Sequence, residues 1–281
     1  MDVQAIRAGL RQARAEARIT FLTPSFLATV ISPIVMVLAV NYFVDGVEFD
    51  AAIHDAAAFS IAGLIGAVGA IAAFNVMSEM QTERTAGTLL RLRMLPYGTS
   101  SWVIGKLVDS FIYLIFTGGL TVVAAMLVIP GLRPDSVSTF VLAIGLLIAS
   151  FIVFFPFGVI VGALVRSTWG FIVSMGIFMV LYAGSGTVIP LSLYPEWLQW
   201  VVGVMPIYWT AHLGRWVFLP SEAGVGELAE SFNPGIGVIV LAVWAIVGFA
   251  LVPRVLRSGM SRETMGSLMA SRERVATKGY A

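Results

Sequence analysis

The chain has no cysteine at all and only two histidines, His54 and His212, in 281 residues. A disulfide scaffold, thiol chemistry and a cysteine-based metal site are therefore excluded, and a histidine-rich metal site is not expected. Charge is scarce as well. Asp, Glu, Lys and Arg make up 12% of the sequence, against about a quarter in an ordinary soluble domain. No G-x-x-x-x-G-K-[ST] phosphate loop occurs, so the chain does not bind ATP by that route, and there is no H-E-x-x-H. Ala183-Gly184-Ser185-Gly186 only loosely matches the serine turn of an intramembrane protease, and its one later histidine, His212, falls in an external segment.

What replaces charge is apolar length. Hydrophobic residues make up 58% of the chain. A membrane-crossing helix needs about 20 mainly apolar residues. Windows of that kind occur at 19–44, 56–78, 110–132, 136–165, 167–195 and 231–253. The expected fold is thus an all-α polytopic membrane protein with six transmembrane helices, forming a single domain over 1–281. The window at 197–214 is short and interrupted by Pro206, and its Trp197, Trp200, Tyr208 and Trp209 suit the headgroup level.

The cations set the expected orientation. With both termini inside, Arg7, Arg11, Arg14, Arg18, Arg84, Arg91, Arg93, Lys106, Arg166, Arg254, Arg257, Arg262, Arg272, Arg274 and Lys278 all lie on the cytoplasmic side. Only Arg133 and Arg215 lie outside, a strong inside bias. A seventh span would spoil that pattern. Segment 190–230 therefore reads as an external region with one or two short, partly re-entrant helices, and 254–281 as a cytoplasmic tail. The external acids Asp45, Glu48, Asp50, Asp55, Asp135, Glu196, Glu222, Glu227 and Glu230 read as solvated loop residues.

Residues 1–18 read as an amphipathic interfacial helix. Arg7, Arg11, Arg14 and Arg18 cluster on one arc toward anionic headgroups, beside a stripe of Ile6, Leu10, Ala13 and Ala17. The charged start does not read as a cleaved signal peptide. Acidic residues in mid-span would mark an ion path. The spans are almost free of them, and Asp109 is expected to pair locally with Lys106. Gly63, Gly66 and Gly69, and the pair Gly158 and Gly162, permit close helix approach.

The stretch Glu83-Arg84-Thr85-Ala86-Gly87-Thr88-Leu89-Leu90-Arg91-Leu92-Arg93-Met94-Leu95-Pro96 is a short basic, half-apolar helix candidate between two uncharged runs. Glu83, Gly87, Thr88, Leu89 and Pro96 form an E-x-x-x-G-T-L…P pattern. Gly105-Lys106 leads into the third span. Pro190-Leu-Ser-Leu-Tyr-Pro195-Glu-Trp197, then Pro206-Ile-Tyr208, then Arg215 follow in the external segment. In this order and spacing, the chain resembles the membrane permease subunit of type-2 ATP-binding-cassette (ABC) exporters, of the drug, antibiotic and lipid efflux type.

The resemblance implies a division of labour. Loop 79–106 would carry a coupling helix, with Glu83, Arg84, Thr85, Gly87, Thr88, Leu89, Leu92 and Pro96 meeting a separate soluble ATPase. Leu89 and Leu92 would fill an apolar pocket there, and Arg84, Arg91 and Arg93 would meet acidic or carbonyl groups. Pro190, Pro195, Trp197, Pro206, Tyr208 and Arg215 would form an external gate. Candidate pathway residues are Phe74, Asn75, Phe116, Phe155, Phe178 and Tyr182, although packing is the commoner role for such side chains. The chain itself would be no enzyme and hold no cofactor, and ATP and Mg would sit on two ATPase copies. A second permease chain, identical or related, would complete the assembly in a bacterial inner membrane among its lipids, with no nucleic acid involved. The cargo would be hydrophobic or amphipathic, with multidrug efflux and antibiotic resistance as the implied setting. An ATP-independent secondary transporter or channel is the alternative, and an intramembrane enzyme is less favoured.

Overall fold

The computed structural model describes residues 3–44, 46–47, 49, 53, 55–95, 97–132, 136–165 and 167–261. Pro96, His54, Arg133, Arg166, the loop acids Asp45, Glu48, Asp50 and Asp135, and the tail cations Arg262, Arg272, Arg274 and Lys278 lie outside the described residues.

The fold is all-helical, with no strand among the described residues. Helix α1 (Val3–Leu22) leads into α2 (Ser25–Val44) across Thr23-Pro24. The expected first window, 19–44, is divided there. Proline has no N–H and disfavours helical backbone in the residue before it, so α1 ends and a new helix begins. The apolar, membrane-length part is Phe26–Val44. Helix α3 (Ala56–Ala86) starts at Asp55, whose carboxylate accepts from the Ala58 N–H at 2.8 Å. It ends at Gly87, whose φ of 77° is a left-handed cap that favours glycine. The six-residue α4 (Thr88–Arg93) follows at once, then α5 (Gly98–Val128). Gly98 is needed for closeness, since a Cβ there would run into the Leu92 carbonyl.

Helix α6 (Val137–Leu164) is capped by Ser136 and α7 (Thr168–Ala183) by Ser167. Two short helices, α8 (Glu196–Val204) and α9 (Pro206–Phe218), precede the long α10 (Pro234–Ser261). Pro206 occupies the first turn of α9, where its missing N–H costs nothing.

Among the described residues, five helices are long and apolar enough to cross a membrane: the Phe26–Val44 part of α2, then α3, α5, α6 and α10 up to Leu256. The fifth window, 167–195, folds differently. Its helix α7 has 16 residues, about 24 Å of rise, and ends where Gly184-Ser185-Gly186 turns the chain. The remainder, to Pro195, is a turn and a 3₁₀ segment at Leu191–Leu193.

Helix α3 is the axis of the bundle. Its alanines and glycines leave a narrow cylinder, and 89% of its apolar window is buried. Without a large hydrophobic drive between helices in lipid, such small residues let backbones approach. Gly66 abuts the Thr210 carbonyl on α9, Gly69 abuts Ser150 on α6, and from the other side Gly158 of α6 abuts Ala73. In contrast, α7 has no buried residue, and the apolar window of α2 is 17% buried. Many of their large apolar side chains, such as Leu27, Ile31, Val35, Ile172, Val173 and Val180, are exposed.

Candidate functional site: a charge knot on helix α9 and a node beneath helix α4

Two polar clusters sit at opposite ends of α3. The first lies where α9 crosses its N-terminal half. Glu227, on the segment after α9, is 2% exposed. Its Oε2 accepts from the Tyr208 hydroxyl at 2.8 Å and from His212 Nδ1 at 2.9 Å, while Oε1 accepts from Arg215 Nε. Helix α9 places Tyr208, His212 and Arg215 on one face at spacings of four and three residues. His212 Nε2 accepts the Asn233 N–H at 3.0 Å. A backbone N–H can only donate, so the imidazole proton sits on Nδ1 and is given to Glu227.

Burial alone would raise the Glu227 carboxyl. Arg215 and then the His212 contact outweigh it and hold the carboxyl at about 2. Burial, then the Glu227 charge, push the Tyr208 hydroxyl well above its ordinary range, so it remains a donor. Arg215 Nη1 donates to the Gly186 and Thr187 carbonyls at 3.0 and 3.2 Å. Its guanidinium carbon stands 4.4 Å from the centre of the Phe59 ring. Gly63 makes room for this, because a Cβ there would meet the Thr187 carbonyl and Arg215 Nη1. The knot thus ties α9, the Gly186 turn after α7 and the segment before α10 onto α3.

This overturns the reading of Glu227 as a solvated loop acid. The missing signal was long-range: Glu227 lies beyond the end of α9, and nothing in its own neighbourhood marks it as buried. Of the expected gate residues, Tyr208 and Arg215 are inside the knot, Pro206 starts α9 and Pro195 precedes α8. Pro190 is buried, and Trp197 is exposed with Trp200 on α8.

The second cluster lies at the other end of α3. Lys106 on α5 is 4% exposed. Its Nζ meets Glu83 Oε1 at 2.8 Å, Glu16 Oε2 at 2.9 Å and Glu79 Oε2 at 3.1 Å. The second Glu83 oxygen accepts from the Trp102 indole N–H. Arg84 donates to the carbonyls of Ala163 and Val165, where α6 ends and its last carbonyls need partners. α1, α3 and α5 are thereby pinned by one ammonium, and α3 and α6 by one guanidinium.

Three expectations change here. Lys106 does not pair with Asp109, because three other carboxylates surround its Nζ and an ammonium has three donors. Arg84 is turned to the chain's own carbonyls rather than outward. Leu89 is wholly buried among Met80, Trp102 and Val159, so it fills a core position and not a partner's pocket, and Leu92 is half-buried beside it. What the α4 end does present is Thr85, Thr88, Arg91, Met94 and Leu95, the last two 84% and 58% exposed.

The arginine stripe of α1 is exposed as expected, at Arg7, Arg11, Arg14 and Arg18. The expected apolar stripe is split. Ala5, Gly9 and Ala13 pack on α5, and Leu10 stays open.

The pathway candidates scatter. Phe155 is 2% exposed in the core with Phe151. Phe116 packs with Phe21 and Phe26 at the α1–α2 break. Phe74, Phe178 and Tyr182 form a ladder between α3 and α7, with ring centres 5.2 and 5.7 Å apart. Asn75 lines a separate cavity between α3 and α5 with Ala72, Ser78, Glu79, Asp109, Ser110 and Tyr113.

Against known proteins, residues 13–219 match the family model described as ABC-2 type transporter. No curated protein matches the chain.

Proposed function

Because the chain belongs to the ABC-2 type transporter family, it is a membrane transport subunit of an ABC system, and we propose that it is the permease of an ATP-driven exporter. A separate ATPase, in two copies, drives it from the cytoplasmic side through loop 83–96. Two permease chains pair, and the cargo is hydrophobic or amphipathic. The termini face the cytoplasm of a bacterial cell.

One observation carries the reading. Helix α4 is a rigidly mounted projection rather than a slack loop. Leu89 anchors it in the core, Gly87 and Gly98 bracket it, and the Glu83–Lys106 pair fixes the α3 end beside it. A push on Met94, Leu95 or Arg91 would therefore be transmitted to α3 and α5 as a body. Exposed apolar side chains flanked by an arginine suit an apolar pocket with an acidic rim. Helix α3 then reaches α9 through Gly66 and Thr210, so the same body ends at the outer knot.

Copurification tests the coupling surface. Met94→Asp and Leu95→Asp should abolish recovery of the companion ATPase while the permease stays monodisperse. Undiminished recovery with both variants would reject it. A second reading, an ATP-independent carrier, is favoured by one observation: the carboxylates Glu79 and Asp109 share a cavity. It predicts uphill transport by the permease alone.

A further inference from the structure

We propose that the cavity between α3 and α5 is a subsite for the ammonium head of a cationic amphiphile, which deepens the exporter reading and rests on it for the cargo's fate.

The cavity holds about 200 Å³ and is lined by Asn75, Ser78 and Glu79 from α3 and by Asp109, Ser110 and Tyr113 from α5, with Ala72 at its wall. Asp109 is 7% exposed, and among the described residues its carboxylate has neither a hydrogen-bond nor an ion-pair partner. Glu79 Oε2 pairs with Lys106 Nζ at 3.1 Å, the longest of the three carboxylate contacts on that ammonium, and the Glu79 side chain stays 43% exposed. The neighbourhood is unbalanced. Among the described residues, Glu16, Glu79, Glu83 and Asp109 stand against the ammonium of Lys106, and Arg84 is engaged with the α6 carbonyls. A buried carboxylate without a partner is costly, and a visiting cation would relieve it.

The chemistry of the walls selects the cation. Two carboxylates supply charge, and Asn75, Ser78, Ser110 and Tyr113 line the same walls with neutral polar groups. No group of acids or histidines among the described residues is arranged to hold a metal ion. At about 200 Å³ the space is below the ~300 Å³ at which drug-sized pockets begin, so it takes a head and not a whole molecule. The apolar tail has a neighbouring track. Phe74 sits one turn above Ser78 on α3 and stacks on Phe178, which leads to Tyr182.

The test is equilibrium binding to the purified permease in nanodiscs of zwitterionic lipid, with radiolabelled dodecylammonium and dodecanol as matched probes. Dodecylammonium should bind saturably and at least tenfold more tightly than dodecanol. Asp109→Asn should lower that affinity about tenfold, and Glu79→Gln should lower it too. Glu222→Gln, the same charge change at an exposed site on the other end, should leave it unaltered. If Asp109→Asn fails to fold, Ser110→Leu, which fills the cavity without touching charge, must also abolish saturable binding. Equal binding of the two probes, or full affinity in Glu79→Gln and Ser110→Leu, overturns the proposal. So does displacement of dodecylammonium by millimolar sodium or magnesium, which would assign the site to an inorganic cation. No ATPase is present in this assay. Ammonium binding without ATP-driven transport would sink the exporter reading alone, and ATP-driven transport of neutral cargo without ammonium binding would sink the subsite alone.

Discussion

Replacing Glu227 by glutamine should destabilise the chain markedly. The substitution keeps the shape and removes the charge. Arg215, wholly buried, would keep the Gly186 and Thr187 carbonyls and the Phe59 ring but lose its counter-charge. The new amide nitrogen must also face donors. If it takes the Oε2 position, it meets the Tyr208 hydroxyl and His212 Nδ1–H. His212 cannot switch tautomer to relieve this, because Asn233 N–H occupies Nε2. Breaking one partner of a buried pair costs about 3–5 kcal/mol. The same pairing is what holds the Glu227 carboxyl down at about 2, a drop of the same order.

The sign of the pH dependence follows. A depressed carboxyl stabilises the fold fully above its unfolded value, and that contribution is lost as pH falls from about 4.5 through about 2. At neutral pH, a loss of about 3 kcal/mol should lower the apparent melting midpoint by roughly 5–10 °C. Size-exclusion chromatography after heating in detergent reads this directly. The variant should also lose the steep destabilisation of the parent between about pH 4.5 and 2. Adding Arg215→Met should recover part of the loss, because the unpaired cation is then gone. A midpoint within 1 °C or so of the parent would refute the reasoning.

Other consequences are as direct. Gly66→Leu should prevent α3 and α9 from seating, since even a Cβ would strike the Thr210 carbonyl, whereas Gly119→Ala and Gly176→Ala meet open space and should be harmless; the monodisperse fraction after extraction checks both. Lys106→Met should leave Glu16, Glu79 and Glu83 without their shared cation and loosen α1 from α5. The chain has no cysteine, so maleimide labelling of a single Ala13→Cys reports it, and the rate should rise at least tenfold on the Lys106→Met background.

Much of the fold is legible in the sequence because charge-free length and the glycine spacing act locally. Gly63, Gly66 and Gly69 announce the close packing of α3, and Pro206 announces the start of α9. Charge was harder to read. Asp109 invites a pairing with Lys106 three residues away, yet the lysine reaches instead to α1 and α3. Glu227 resembles any other loop acid until α9 brings Arg215 to it. The helix break at Pro24 and the short α7 were obscured for a different reason: apolar composition continues through both turns, and hydropathy does not register a backbone that changes direction. Leu89 shows the limit of a motif. The pattern E-x-x-x-G-T-L marks the place of α4, but the side chains within it divide between the core and the surface only once α4 is seated on Trp102.

On the proposed reading, force enters at the exposed face of α4. The measurement that meets it most directly is ATP-dependent uptake of a cationic amphiphile into inverted vesicles carrying the permease and its companion ATPase, compared with vesicles in which the permease bears Met94→Asp and Leu95→Asp. Uptake should require both proteins and ATP and should vanish in the variant although the permease is present in equal amount. Uphill uptake by the permease alone, or undiminished ATP-driven uptake by the variant, would contradict it.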